Sequence, residues 1–298
     1  MRCKRFPPRW GNALLPAAPR GAALAGLALH SACRPRALVA QRAAWTLVRL
    51  FGTRSLPGPV ETWDPPMTAA DWAGLTAGWQ ADLGAFDGLA VYGRPRPGPA
   101  GFAALLLKHD RPLAFVKFRA AGDALERERR AHVAIWNSRP RAFAIPEPLG
   151  AGQSAAGTWF AVRPLPPRLH RPAFGAPLGA ILDEVRAGLV GGVAAPAGTP
   201  DHWQPIHGDF TPWNLRDVDQ SVVPVLIDWE DAGWAPPGAD EVLFRATEAA
   251  LRGHRRPPSG AAEAIDFWRR TVSARSGTAR DKRLAGGVLA ALHGMAGK

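Results

Sequence analysis

The stretch His207-Gly-Asp-Phe-Thr-Pro-Trp-Asn214, followed by Val222-Val-Pro-Val-Leu-Ile-Asp-Trp-Glu230, decides how the rest of the chain is read. Asp209 and Asn214 stand five residues apart. Fourteen residues beyond Asn214, Asp228 closes an apolar run that reads as a buried strand. Short loops on rigid strands commonly carry catalytic groups. Carboxylate and amide oxygens suit Mg2+, a hard cation that takes a few such ligands together with phosphate oxygens. A further carboxylate beside the metal can orient a hydroxyl and accept its proton. The residue types therefore predict a loop with a metal pair and a base.

At 298 residues the chain can bury a full core in one or two domains. A hydrophobic content of 47% with 12 Trp is that of a globular protein. The net charge of +12 is unevenly spread: the first 60 residues hold ten of the 37 Lys/Arg and no acid, Glu61 being the first. The basicity belongs to this N-terminal segment and the remainder is nearly neutral. No nucleic-acid partner is expected, because binding needs a basic face on the folded body. Cys3 and Cys33 are too few for a disulfide framework or a zinc site and suit the reducing cytosol. Arg2, Lys4 and Arg5 precede an Ala/Leu-rich run, Gly21 to Leu29, but Pro16, Pro19 and Arg20 interrupt a signal-peptide pattern. No window approaches the roughly 20 apolar residues of a membrane span. A cytoplasmic protein is expected.

Along the chain, residues 1–20 show no clear periodicity, and 1–60 reads as a basic arm, partly helical or flexible. Ala22 to Phe51 reads as two helical pieces broken at Pro35, with Arg36, Arg42 and Arg49 six and seven apart. Such a helix either lies on an anionic membrane or partner, giving a weak contact through residues 1–55, or packs its apolar face on the body; the packed reading is preferred. Residues 61–84 form a turn-rich linker and a helix opened by Thr68 with Asp71 three later. From Leu89 the pattern is strand, Gly/Pro-rich loop (Gly93 to Gly101), strand, hairpin, strand, then a charged helix from Asp123 to Trp136 and two more strands. Residues 85–165 are thus a small sheet lobe with one helix. Residues 166–298 are mainly helical, with candidates at Pro177 to Leu189, Ala239 to Leu251, Ala261 to Ala274 and Asp281 to His293.

Taken in order, Val116-Lys117 in a strand, Glu126 and Glu128 on the next helix, His207-Gly-Asp209, Asn214 and Ile227-Asp-Trp-Glu230 resemble the aminoglycoside phosphotransferase and choline kinase group of small-molecule kinases. The resemblance covers about residues 85 to 298. It implies an α+β, two-lobed protein-kinase-like fold: an antiparallel-sheet lobe with one helix, and a compact helical lobe. It implies a catalytic base at Asp209, Mg2+ held by Asn214 and Asp228, and ATP (or GTP) phosphates held by Lys117. Lys117 would pair with Glu128, or with Glu126 if the helix phase differs. Val162 to Leu165 would be the hinge, with Arg163 and Leu165 offering backbone groups to adenine. His207 would brace the loop and Gly208 would permit a tight backbone. Lys117, Asp209, Asn214 and Asp228 would converge on one cleft between the lobes. A Walker A motif is absent, so a P-loop fold is not supported.

The implied activity is ATP- and Mg2+-dependent transfer to a hydroxyl of a small molecule (sugar, amino sugar, amino alcohol or antibiotic). The alternative is a nucleotide-binding pseudokinase with a regulatory or membrane-associated role. The loop at Gly93 to Gly101 departs from the family in being rich in Arg94, Arg96 and proline, and reads equally as a phosphate cover or a solvated tip. About 40 residues separate the hinge from His207, where family members often carry longer helical inserts. Glu230, Asp231 and Asp240 suit a cationic or polyhydroxyl acceptor, or pair with arginines. Trp203, Trp213, Trp229 and Trp234 read as core or half-buried supports.

Overall fold

The computed structural model describes residues 1–8, 11–30, 32–93, 101–218, 221–253, 262–274 and 279–296, the side chains of 279 and 280 excepted. In chain order it has β1 (Arg2–Phe6), β2 (Ala13–Pro16), α1 (Arg20–Ala28), α2 (Pro35–Phe51), a 3-10 turn (Thr53–Ser55), β3 (Glu61–Thr62) and α3 (Ala69–Leu83). Then come β4 (Gly88–Gly93), β5 (Gly101–Lys108), β6 (Arg111–Arg119), α4 (Asp123–Ser138), β7 (Pro148–Ser154) and β8 (Gly157–Val162). The remainder is β9 (Arg171–Pro172), α5 (Leu178–Leu189), β10 (Gln204–Ile206), β11 (Leu215–Asp217), β12 (Val225–Leu226), β13 (Gly233–Ala235), α6 (Ala239–Arg252), α7 (Ala262–Ala274) and α8 (Ala279–Ala296). The chain divides into two compact units, residues 1–125 with 146–170, and residues 126–145 with 171–298. The mixed α+β class read from the sequence is what the structure shows.

The first unit is built on one antiparallel sheet of eight strands in the order β3-β1-β2-β4-β5-β6-β8-β7. Its central hairpin, β5–β6, turns on two residues, His109 (φ 48°) and Asp110 (φ 65°), both in the left-handed region. That turn has the twist the flanking strands need, which fixes their register. Alternation then assigns the faces. Val116 and Phe118 of β6 point into a core with Phe102, Trp159 and α3 residues Leu75 and Trp79. Phe115, on the other face, packs with Ala90, Leu105 and the α1 residues Ala22 and Ala25. Helix α3 starts where the sequence predicts: Thr68 Oγ1 accepts from the Asp71 amide at 3.1 Å.

Residues 1–60, read from the sequence as an arm, instead give β1 and β2 to this sheet and α1 and α2 to the unit. Strand β1 pairs with β2 and β3, and β2 pairs with β4 through Ala13–Tyr92 and Leu14–Val91. Short strands of four or five residues interrupted by Lys and Arg carry too little alternation to announce themselves. Cys3 and Leu14 enter the main core, and Phe6, Leu15, Leu27 and Val48 make a cluster of their own.

In the second unit, one face of α4 (Ala131, Ile135) meets Ile181, Val185 and Leu189 of α5 together with Phe210 and Trp229 of the opening motif. A second core joins α6, α7 and α8 through Leu243, Ile265, Trp268 and Leu292. Strands β9, β11 and β12 form a small sheet, and β10 pairs with β13. The loop between β10 and β11 carries the site.

Candidate active site

The catalytic loop is fixed from three sides. His207 is fully buried, and its Nε2 lies 3.1 Å from the Ile227 carbonyl. The Asp209 amide donates to His207 Nδ1 at 3.2 Å. These partners assign a neutral ring with the proton on Nε2. Burial favours the same form, since it pushes the imidazole below its ordinary value. Gly208 has φ +81°, and a Cβ there would lie 1.8 Å from the Asp231 carbonyl oxygen, so glycine is required on both counts.

The third support is Asp240, in the first turn of α6 and only 4% exposed. Its Oδ2 accepts from the His207 amide at 2.7 Å and its Oδ1 from the Gly208 amide at 3.1 Å. Asp240 is therefore committed to the loop backbone and is not an acceptor-facing acid. Burial raises its carboxyl, while His207 and the two amides pull the other way.

Asn214 closes the loop. Its Nδ2 donates to the Asp209 carbonyl at 2.9 Å and to Asp209 Oδ2 at 3.0 Å, which orients the buried Asp209 carboxylate. Ile227 donates its amide to the Asn214 carbonyl, tying β12 to the loop. Because the amide nitrogen is used on Asp209, the atom Asn214 has for a cation is Oδ1, the hard donor Mg2+ takes.

Asp228 follows β12 with φ 71°, a left-handed conformation that Asp tolerates better than most residues. Its carboxylate, that of Glu230 and that of buried Glu128 bring ligand atoms within 4.8 Å of one another. Helix phase explains Glu128: it stands three residues before Ala131 and seven before Ile135, on the face that packs against Trp229. Glu126 points elsewhere. Arg129 and Arg130 hold it at 2.7 and 2.8 Å, and the hydrogen bond from Arg129 leads in lowering its pKa to about 2. Of the two acids it is Glu128 that joins the cluster with Asp228 and Glu230. An all-oxygen, multiply anionic donor set fits a hard divalent cation.

The other predicted residues lie in the first unit. Lys117 is half-buried on the β6 face opposite Val116 and Phe118. The Arg163 amide donates to the Glu147 carbonyl at 2.7 Å, and its side chain pairs with Glu147. Leu165 is half-buried just after β8. Arg94 and Arg96 lie outside the described residues. Of the tryptophans, Trp229 is core, Trp234 donates to the Val193 carbonyl and Trp203 to Glu263.

The loop thus combines a buried aspartate oriented by an asparagine, a neutral histidine brace and a second aspartate just past a strand end. Residues 159–271, from β8 through most of α7, match the model of the phosphotransferase enzyme family (APH), so the resemblance read from the sequence holds for this segment. No curated protein matches the chain. Among solved structures, the chain is similar to the GDP complex of an aminoglycoside 2′-phosphotransferase (13% identity, 74% of this chain and 90% of that one, TM-score 0.43). It is also similar to an aminoglycoside 3′-phosphotransferase of type VIII (17%, 76% and 100%, 0.39). A third is an aminoglycoside phosphotransferase from Streptomyces rimosus (18%, 75% and 97%, 0.38).

Proposed function

We propose that this protein transfers the γ-phosphate of ATP (or GTP) to a hydroxyl of a small molecule such as a sugar, amino sugar, amino alcohol or antibiotic. The observation that carries the reading is the Asn214 clamp on Asp209 within the family-matched segment. Asp209, with Oδ2 held by Asn214, presents its carboxylate to the acceptor hydroxyl and takes the proton as the new O–P bond forms. Asp228 and the Asn214 Oδ1, with Glu230 and Glu128 beside Asp228, are the residues that would hold Mg2+. When bound, that ion supplies positive charge against the phosphate oxygens. Lys117 would hold nucleotide phosphates, and the backbone at Arg163 and Leu165 would meet the base. The Arg163 contribution is its carbonyl, because its amide is given to Glu147. The cytosolic placement belongs to the same reading: Cys3 and Cys33 are both buried and too few for a disulfide framework.

The test is calorimetry of the full chain with ATP and Mg2+, followed by an acceptor screen by ADP release. Asp209→Ala is expected to lower the transfer rate by about 10²–10⁴ while nucleotide affinity stays within about threefold, as for a general base. Transfer retained by that variant would move the base elsewhere, and failure of the full chain to bind nucleotide would end the proposal.

A further inference from the structure

Helix α2 carries two apolar faces and only one of them is covered. Gln41, Ala44 and Val48 are buried, the last two within the cluster of Phe6, Leu15, Leu27 and Leu56. Away from that face Val39 is 68% exposed, Leu47 40%, Leu50 58% and Phe51 65%. These are four of the eight large hydrophobic residues exposed among the described residues, so one helix concentrates what a protein surface ordinarily scatters. At the angular step of an α-helix, Val39, Leu50 and Leu47 fall in one stripe about 80° wide, with Phe51 about 40° beyond it. Arg36, Arg42 and Arg49 are exposed on the same helix, and Arg54 is exposed just after it. Arg49 lies over the half-buried ring of Trp45 at 5.4 Å.

We propose that this face docks on an anionic lipid surface. Val39, Leu47, Leu50 and Phe51 would enter the boundary between headgroups and acyl chains, with Arg36 at the stripe's first turn and Arg42 and Arg49 to one side of it meeting lipid phosphates. Charge selects this occupant. Residues 1–60 contain no acid, so a second copy of the face would set arginine against arginine with nothing to pair them. A nucleic acid would use the arginines but offers no counterpart to a stripe of Val and Leu. The contact is peripheral: among the described residues no helix is long and apolar enough to cross a membrane. The inference is independent of the phosphotransfer reading, and its consequence is to place whatever chemistry the chain performs at a lipid surface.

The experiment is co-sedimentation of the full chain with vesicles of phosphatidylcholine alone or mixed with phosphatidylglycerol. Expected is about tenfold or more greater binding to the phosphatidylglycerol vesicles, falling as salt is raised. The triple variant L47S/L50S/F51S and the triple variant R36Q/R42Q/R49Q should each lose that binding. Both sets of positions are exposed, so the circular dichroism spectrum and thermal midpoint should hold, which separates loss of docking from loss of fold. Equal binding to both vesicle types, no binding, or full binding by the serine variant would overturn the proposal. So would a concentration-dependent dimer that the serine variant abolishes, because the face would then belong to a second copy.

Discussion

At the residue scale, the loop from His207 to Asn214 is held by an acid that another element supplies. Asp209, Asn214 and Asp228 stand in a local pattern whose spacing survives in one dimension. Asp240 holds the loop from another element, more than 30 residues downstream, and its sequence neighbours Glu230 and Asp231 suggested only a charged rim. The signal that could have found it is an acid in the first turn of a predicted helix, where carboxylates accept from backbone amides. Asp240→Ala would leave the His207 and Gly208 amides buried without acceptors, at about 1–3 kcal/mol each. Expected is a loss of roughly 3 kcal/mol in chemical denaturation and a transfer rate lowered more than nucleotide affinity; unchanged stability would show the two bonds to be dispensable. His207 gives a pH prediction. Its folded pKa lies below the ordinary 6.5, so the folded state takes up a proton less readily than the unfolded chain. Its contribution to stability is complete above about pH 6.5 and is lost as pH falls below it. Asp240, whose carboxyl burial raises, acts in the opposite sense, but it is present in both proteins when the wild type is compared with His207→Gln. The thermal midpoint of the wild type should therefore drop more between neutral pH and pH near 5.5 than that of the variant. Equal drops would mean that His207 is not held neutral.

At the element scale, long periodic helices were readable and short strands were not. The second-half helices fall within three residues of their predicted ends because amphipathic stripes of twelve or more residues repeat several times. Strand β12 is only Val225–Leu226, although the apolar run around it is three times as long, because Pro224 cannot donate to a ladder. Helix α4 shows what phase decides. The sequence favours Glu128 and leaves Glu126 as the alternative, and packing of Ala131 and Ile135 shows that Glu128 turns inward. Glu126→Gln should cost under about 1 kcal/mol, since its pairs with Arg129 and Arg130 are solvent-screened, and should leave transfer unchanged. Glu128→Gln should raise the Mg2+ concentration needed for half-maximal transfer by about tenfold, as loss of a group close to a metal ligand does. If the two variants behave alike in a Mg2+ titration, the phase of α4 is not what positions the metal group.

At the scale of the whole molecule, charge misled where packing decides. Ten bases and no acid in the first 60 residues look like an appendage, yet the cationic groups are spaced among residues that the fold buries. In β1, Cys3 and Phe6 face inward while Arg5 reaches Glu61 at 3.0 Å; even Lys4 is 8% exposed, with its ammonium on the Leu56 carbonyl. A chain lacking residues 1–62 would lose β1, β2 and β3 from the eight-stranded sheet and all of α1 and α2. Strand β4 would become an edge, and Ala90, Leu105 and Leu107 would lose their α1 partners. Burial of a residue such as Phe6, Leu14, Leu15 or Leu27 contributes roughly 1.5–3 kcal/mol. Four such losses reach about the entire stability of an ordinary domain, roughly 5–15 kcal/mol. An uncovered apolar edge strand also invites intermolecular pairing. The truncated chain is therefore expected to be insoluble, or soluble without a cooperative thermal transition, whereas an appendage would come away with the midpoint intact. Size-exclusion chromatography and a thermal melt of residues 63–298 against the full chain decide between them. A monodisperse truncated protein with an unshifted midpoint would mean that the sheet begins at β4 and that β1 to β3 contribute nothing to its stability.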